Sequence, residues 1–145
     1  MLRLLTYASL AISIAVLSAC GGGSTTDDAP PNQEAATTAA LSWLDLVDAG
    51  EYDESWITAA DLFKSTISEK DWNVAASNAR QPLGRLVTRK LQSATYQTEP
   101  QGETAGEYVV TKFGTAFENF DSKFEIVTAR LESDKAWRVS GYFIR

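Results

Sequence analysis

The feature that most restricts what this chain can fold into lies at Pro82 and Gly84, where the spacing of apolar residues changes from three-and-four to two. A helix repeats every 3.6 residues and a strand every two, so the chain reads as helices followed by strands. On the helical side, Ala36, Ala40, Trp43, Leu44 and Val47 share one face of residues 33–48, and Gly50 supplies a stop. A shorter pattern with Trp56, Ala59, Ala60 and Phe63 on one side predicts a second helix. Its Asp53 and Glu54 fall in the first turn, where they suit the helix dipole. Ser68, with Asp71 three residues on, has the form of a capping box in which aspartate replaces the preferred glutamate. It opens a third helix that turns Trp72, Ala75, Ala76 and Ala79 inward and closes at Pro82 and Gly84.

Beyond Gly84 the chain is rich in β-branched and aromatic residues. Residues 86–98 alternate, with Val87, Arg89 and Leu91 on one side and Lys90 and Gln92 on the other. Turn-forming residues 99–106 lead to residues 107–117, where Val109, Phe113 and Phe117 share a face. A tight connection at 119–121 leads to a strand over 123–131, and 133–135 turn into a last strand over 137–144. Short connections between successive strands favour antiparallel pairing. The expected architecture is therefore α+β: three N-terminal helices packed on one face of a curved four-stranded antiparallel sheet.

The N-terminus has a different character. Residues 1–19 carry Arg3, an apolar run over 4–17, then Ser18 and Ala19, the three-part layout of a secretory signal peptide. The run would make a helix of about 21 Å, short of the roughly 30 Å hydrocarbon core. Leu17, Ser18, Ala19 and Cys20 resemble the lipobox of bacterial lipoproteins. That resemblance implies cleavage before Cys20, acylation of its thiol (diacylglycerol, palmitate) and attachment to a membrane through the acyl chains. It also implies a place in the cell envelope; Gly21 is not the aspartate associated with inner-membrane retention, which points to the outer membrane facing the periplasm in a diderm host. Residues 20–32, with Gly21, Gly22, Gly23, Pro30 and Pro31, read as a flexible tether, and residues 33–145 as one domain. Cys20 is the one cysteine, so no intramolecular disulfide can form and packing must supply the stability.

The stretches "SWLDLVDAGEYDESW", "PLGRLVTRKLQSATY", "GEYVVTKF" and "WRVSGYFIR" together resemble the bacterial domain-of-unknown-function family numbered 4019. That family is similar to the cone-shaped nuclear transport factor 2-like, or cystatin-like, superfamily. The resemblance runs from about Ala35 to Arg145 and implies the fold and an exported location. It brings no activity and no catalytic residues.

Composition removes much chemistry. With no histidine, the chain lacks the usual base near neutral pH, the Ser-His and Cys-His pairings and the commonest metal ligand. No catalytic residue, metal site or cofactor is therefore expected. Residues 20–145 hold 12 basic and 19 acidic side chains, a net charge of 12 minus 19, or −7, so nucleic acid is not an expected partner. The imbalance is uneven: residues 20–79 carry 2 basic and 11 acidic groups, residues 80–145 carry 10 and 8. Asp45, Asp48 and Asp61 are the carboxylates that a cavity would have to recruit, against a more ordinary place on solvated helix surface. Asp27 and Asp28 lie in the tether without the spacing of a calcium loop. The basic cluster Arg80, Arg85, Arg89 and Lys90 is the sharpest polar feature; Arg85, Arg89 and Lys90 are the candidate contacts for an anion, against salt bridges to the acidic helices or solvation. Tyr96, Tyr142 and the tryptophans fit core spacing better than a binding platform.

Two functional readings follow. The first is a non-catalytic, lipid-anchored binding or interaction module with an unknown envelope protein or small ligand as partner. The second is a small-molecule carrier or enzyme using the interior of the cone. An open pocket holding a desolvated acid would favour the second; an interior filled by Trp43, Trp72 and Phe113 would favour the first.

Overall fold

A computed structural model describes residues 31–98 and 104–145. The expected signal peptide, the lipobox Leu17, Ser18, Ala19 and Cys20, the tether up to residue 30, and Asp27 and Asp28 lie outside the described residues. Helix α1 (Pro31–Ala49) begins two residues before the expected domain start, with proline at its first position, where the missing N–H costs nothing. Helices α2 (Tyr52–Ile57), α3 (Asp61–Thr66) and α4 (Glu69–Arg80) follow, then a single 3-10 turn (Gln81–Leu83). Strands β1 (Leu86–Gln97), β2 (Tyr108–Phe117), β3 (Phe120–Leu131) and β4 (Trp137–Ile144) form one antiparallel sheet in the order β1-β2-β3-β4. Helices lie against one face of this meander, and α1 touches all four strands.

The expected three helices are four among the described residues. The apolar spacing predicts one helix through Trp56 and Phe63; the chain instead breaks at Thr58–Ala60, placing them in α2 and α3. The reason is tertiary: Ala60 N–H donates to the Val139 carbonyl (2.8 Å), and Ala59 and Ala60 are fully buried. A continuous helix would spend that N–H internally and lift the two alanines off β4. At α4 the cap forms as expected, since the Ser68 hydroxyl accepts from Asp71 N–H (3.2 Å). The reciprocal half differs, because the Asp71 carboxylate accepts from the Ser68 hydroxyl itself (2.7 Å).

Gly84 fixes the corner between the layers. Its φ of +77° is left-handed, and an added Cβ would lie 2.9 Å from the Glu118 Cβ. Past that corner, β1 is less regular than its alternation suggests, with register shifts between Leu86 and Thr88 and between Leu91 and Ser93. Arg89, opposite Thr115, is turned to the helices, as the pattern indicates; Leu91, opposite Phe113, shares that face yet is 48% exposed. Val87 falls within the first shift and is exposed.

Inside, Trp43, Leu44, Val47, Phe63, Trp72, Phe113, Val127 and Val139 form the main core. Each such fully buried side chain contributes about 1.5–3 kcal/mol of transfer free energy. Trp43 stacks obliquely on Trp72, with centroids 5.6 Å apart, and Phe63 meets both edge-on. The two indoles spend their polar atoms on one residue: Trp43 Nε1 donates to the Ser55 carbonyl (2.6 Å) and Trp72 Nε1 to the Ser55 hydroxyl (2.9 Å).

Candidate functional site

Five elements converge beyond the indoles. Asp48 comes from the last turn of α1, Arg80 ends α4, Arg89 leaves β1, Glu125 sits mid-β3 and Tyr142 lies near the end of β4. Glu125 is fully buried, continuing the inward alternation of Val127 and Ala129. The two arginine side chains are 6% exposed and Asp48 is 15% exposed.

Charge and hydrogen bonding both close here. Arg80 Nη1 donates to Glu125 Oε1 (2.9 Å) and to the Tyr142 hydroxyl (3.2 Å), and Nη2 donates to Asp48 Oδ1. Arg89 Nε donates to Glu125 Oε2 (2.7 Å), while its Nη1 and Nη2 form a fork on Asp48 (2.6 and 3.0 Å). The Tyr142 hydroxyl donates to Glu125 Oε1 and the Thr115 hydroxyl to Oε2, each at 2.7 Å. Two guanidinium groups thus face two carboxylates, and each Glu125 oxygen accepts two donors, the capacity of its lone pairs. Arg80 also lies over the Phe117 ring, 4.6 Å from its centroid.

The proton affinities follow from that packing. Burial works against the charge on Arg89, but hydrogen bonds to Asp48 and Glu125 outweigh it and raise its pKa. Burial, reinforced by the Glu125 charge, pushes the Tyr142 hydroxyl well above the ordinary tyrosine value. Neither group releases a proton near neutrality. An acid whose four acceptor positions are filled, beside a phenol held neutral, has no free lone pair to act as a base.

The anion candidates are dispersed. Arg89 enters the buried cluster with Arg80, whereas Lys90 is exposed on the opposite face of the sheet. Arg85 is 88% exposed at the edge and pairs with Glu118 (2.6 Å), whose carboxyl is held below its ordinary value by the hydrogen bond from that arginine. Of the candidate carboxylates, Asp48 alone is drawn inward; Asp45 is exposed, and Asp61 is 90% exposed beside Lys64 (3.3 Å). Glu125, the most buried acid, was missed by sequence reasoning. Its signal was an acidic residue two positions before Val127 and four before Ala129, on the face that strand periodicity turns inward.

Outside this cluster a groove of about 440 Å³ opens between α3, α4 and β4. Phe63, Ile67, Trp72, Tyr142 and Phe143 give it apolar walls, with Thr66 and Ser140 as polar points. Among the described residues, no group of three or more acidic, histidine or cysteine side chains could hold a metal ion. No helix among them is long and apolar enough to cross a membrane.

The family described as "Protein of unknown function (DUF4019)" matches residues 39–142, a span from the middle of α1 into β4. No curated protein and no solved structure matches the chain.

Proposed function

The chain belongs to the DUF4019 family, whose description assigns no activity, and from its geometry we propose an exported, lipid-anchored envelope protein whose domain is a non-catalytic binding module. The observation that carries this reading is the saturated cluster: Asp48, Arg80, Arg89, Glu125 and Tyr142 spend their polar atoms on one another. Trp43, Trp72 and Phe113 fill the space behind them. The three-part leader and the lipobox support attachment through Cys20, in the outer membrane of a diderm host. A register shift in each strand ladder supports a sheet curved like that of the nuclear transport factor 2-like, cone-shaped domains.

The test has two parts. Intact mass of the natural protein is expected to give a chain starting at an acylated Cys20; Met1 still in place with a free thiol overturns the anchor. Reversible cross-linking in native membranes, followed by purification of the anchored chain, is expected to recover a stoichiometric envelope partner. Recovery of a small molecule together with its altered product overturns the non-catalytic reading.

The groove favours a second reading, a small-molecule carrier, because its walls are apolar and Tyr142 and Phe143 are within it. A fluorescent apolar probe that binds the native chain and loses affinity in Ala75→Trp, with an unchanged circular dichroism spectrum, would favour the carrier.

A further inference from the structure

The face of the sheet turned away from the helices is built differently from the rest of this acidic chain. Antiparallel register sets its side chains in rows across the four strands. Lys90, Gly114 and Phe124 form one row, closed by Arg145, whose backbone exchanges both hydrogen bonds with Phe124. The next is Ser93, Lys112, Ile126 and Phe143. Phe143, which at the free edge of β4 also borders the groove beside α3 and α4, is 61% exposed, Phe124 is 38% exposed, and Lys112 Nζ rests 4.0 Å above the Phe124 ring. Toward the other end, Arg130 stands opposite Arg138, whose guanidinium is forked onto Asp134 and adds no free charge to the face. No outward side chain in these rows is acidic, although residues 20–79 alone carry 11 acidic side chains; the carboxylates that border the face are Asp121, beside Lys90 and Phe124, and Asp134, which is paired with Arg138. Among the described residues, Lys90, Lys112 and Arg145 make no ion pair.

We infer that this outer face docks on an anionic phospholipid surface, laying the domain flat against the bilayer to which its N-terminus is attached. Basic side chains interspersed with exposed phenylalanines match such a surface twice, by charge and by rings that enter the headgroup region. The acidic helices are then turned away from the lipid, which fixes the orientation. The inference rests on the proposed anchor for its proximity: ten residues separate Cys20 from α1 and reach at most about 35 Å, against a helix diameter of about 10–12 Å to be passed. Held within that radius, the face meets the lipid at high effective concentration. Each basic side chain near an anionic surface shifts the docked-to-undocked ratio about five-fold, so three together shift it about a hundred-fold.

The experiment uses the full chain in vesicles of phosphatidylcholine, with or without phosphatidylglycerol and with a lipid-borne quencher. An environment-sensitive dye is placed through Thr95→Cys on the outer face or Asn78→Cys on α4. Quenching of the Thr95→Cys dye is expected only with phosphatidylglycerol, falling as salt rises, and the Asn78→Cys dye should respond to neither lipid. The triple variant Lys90→Gln, Lys112→Gln, Arg145→Gln should return the signal to its phosphatidylcholine level while keeping the native circular dichroism spectrum. Equal quenching at both positions, indifference to lipid charge, or energy transfer between the two dyes that grows with protein density on uncharged vesicles would overturn docking; the last outcome would assign the face to a second copy. Failure of the anchor is separable, because an unacylated Cys20 would itself take the dye in the parent chain; docking is then read in the Cys20→Ser background.

Discussion

At the aromatic cluster, α1, α3 and α4 meet through Trp43, Phe63 and Trp72; at the ionic cluster, α1 and α4 reach β1 and β3 through Asp48, Arg80, Arg89 and Glu125. Tyr142 belongs to both, with its ring 5.5 Å from Trp43 and its hydroxyl on Glu125. The contrast lies in how each fails. Apolar packing weakens in proportion to the volume removed. A buried ion set fails when one member is lost, because the partners keep their charge without its neutraliser.

The largest effect follows from breaking the ionic side alone. Glu125→Ala leaves two buried guanidinium groups sharing one aspartate and is expected to cost about 3–5 kcal/mol, read as a loss of urea midpoint. Replacing Asp48, Arg80, Arg89 and Glu125 together by apolar residues of similar volume is expected to leave stability near the parent value; a loss as large as that of Glu125→Ala would remove the distinction between the clusters. On the aromatic side, Trp72→Ala should cost about 3–4 kcal/mol and Trp72→Phe much less, since only the bond to the Ser55 hydroxyl and part of the ring are lost. That graded response is what the ionic side should lack.

Tyr142→Phe probes the shared residue and is expected to cost about 1–2 kcal/mol, because Glu125 and Arg80 each lose a partner. It also carries a pH signature. The folded pKa of Tyr142 is raised above its ordinary value of 10.0, so its contribution is complete below pH 10 and is lost as pH climbs toward the folded value. Urea midpoints should therefore fall from pH 10 to pH 11 more steeply in the parent than in Tyr142→Phe. The smallest effect is assigned to the surface pair: Glu118→Gln frees an exposed Arg85 and should move the midpoint by no more than experimental scatter.

How far these regions were legible in the sequence differs in the same way. The indole core announced itself through spacing, because Trp43, Leu44 and Val47 repeat at helical intervals that hold whatever they pack against. Single bonds in the ionic cluster span up to 62 positions, Arg80 to Tyr142, and no local period reports such a pairing. Arg89 was recognisable as an arginine on an inward strand face; its partners were not. The break between α2 and α3 was hidden for a related reason, since the bond from Ala60 to Val139 overrides a local pattern that continues through Ala59 and Ala60. The strands were easier to place because each pairs with its neighbour in sequence, and β1's register shifts were the main feature that alternation missed.

That α1 spans every strand of the meander has a bearing on assembly. Hairpins can close one after another as the chain lengthens, yet the first helix finds Val139 and Tyr142 only when the final strand exists. A nascent chain lacking its last dozen residues would hold three paired strands and an uncovered indole face, a sticky intermediate of the kind that chaperones shield. Pairing of β4 is therefore the step that commits the domain to its native form.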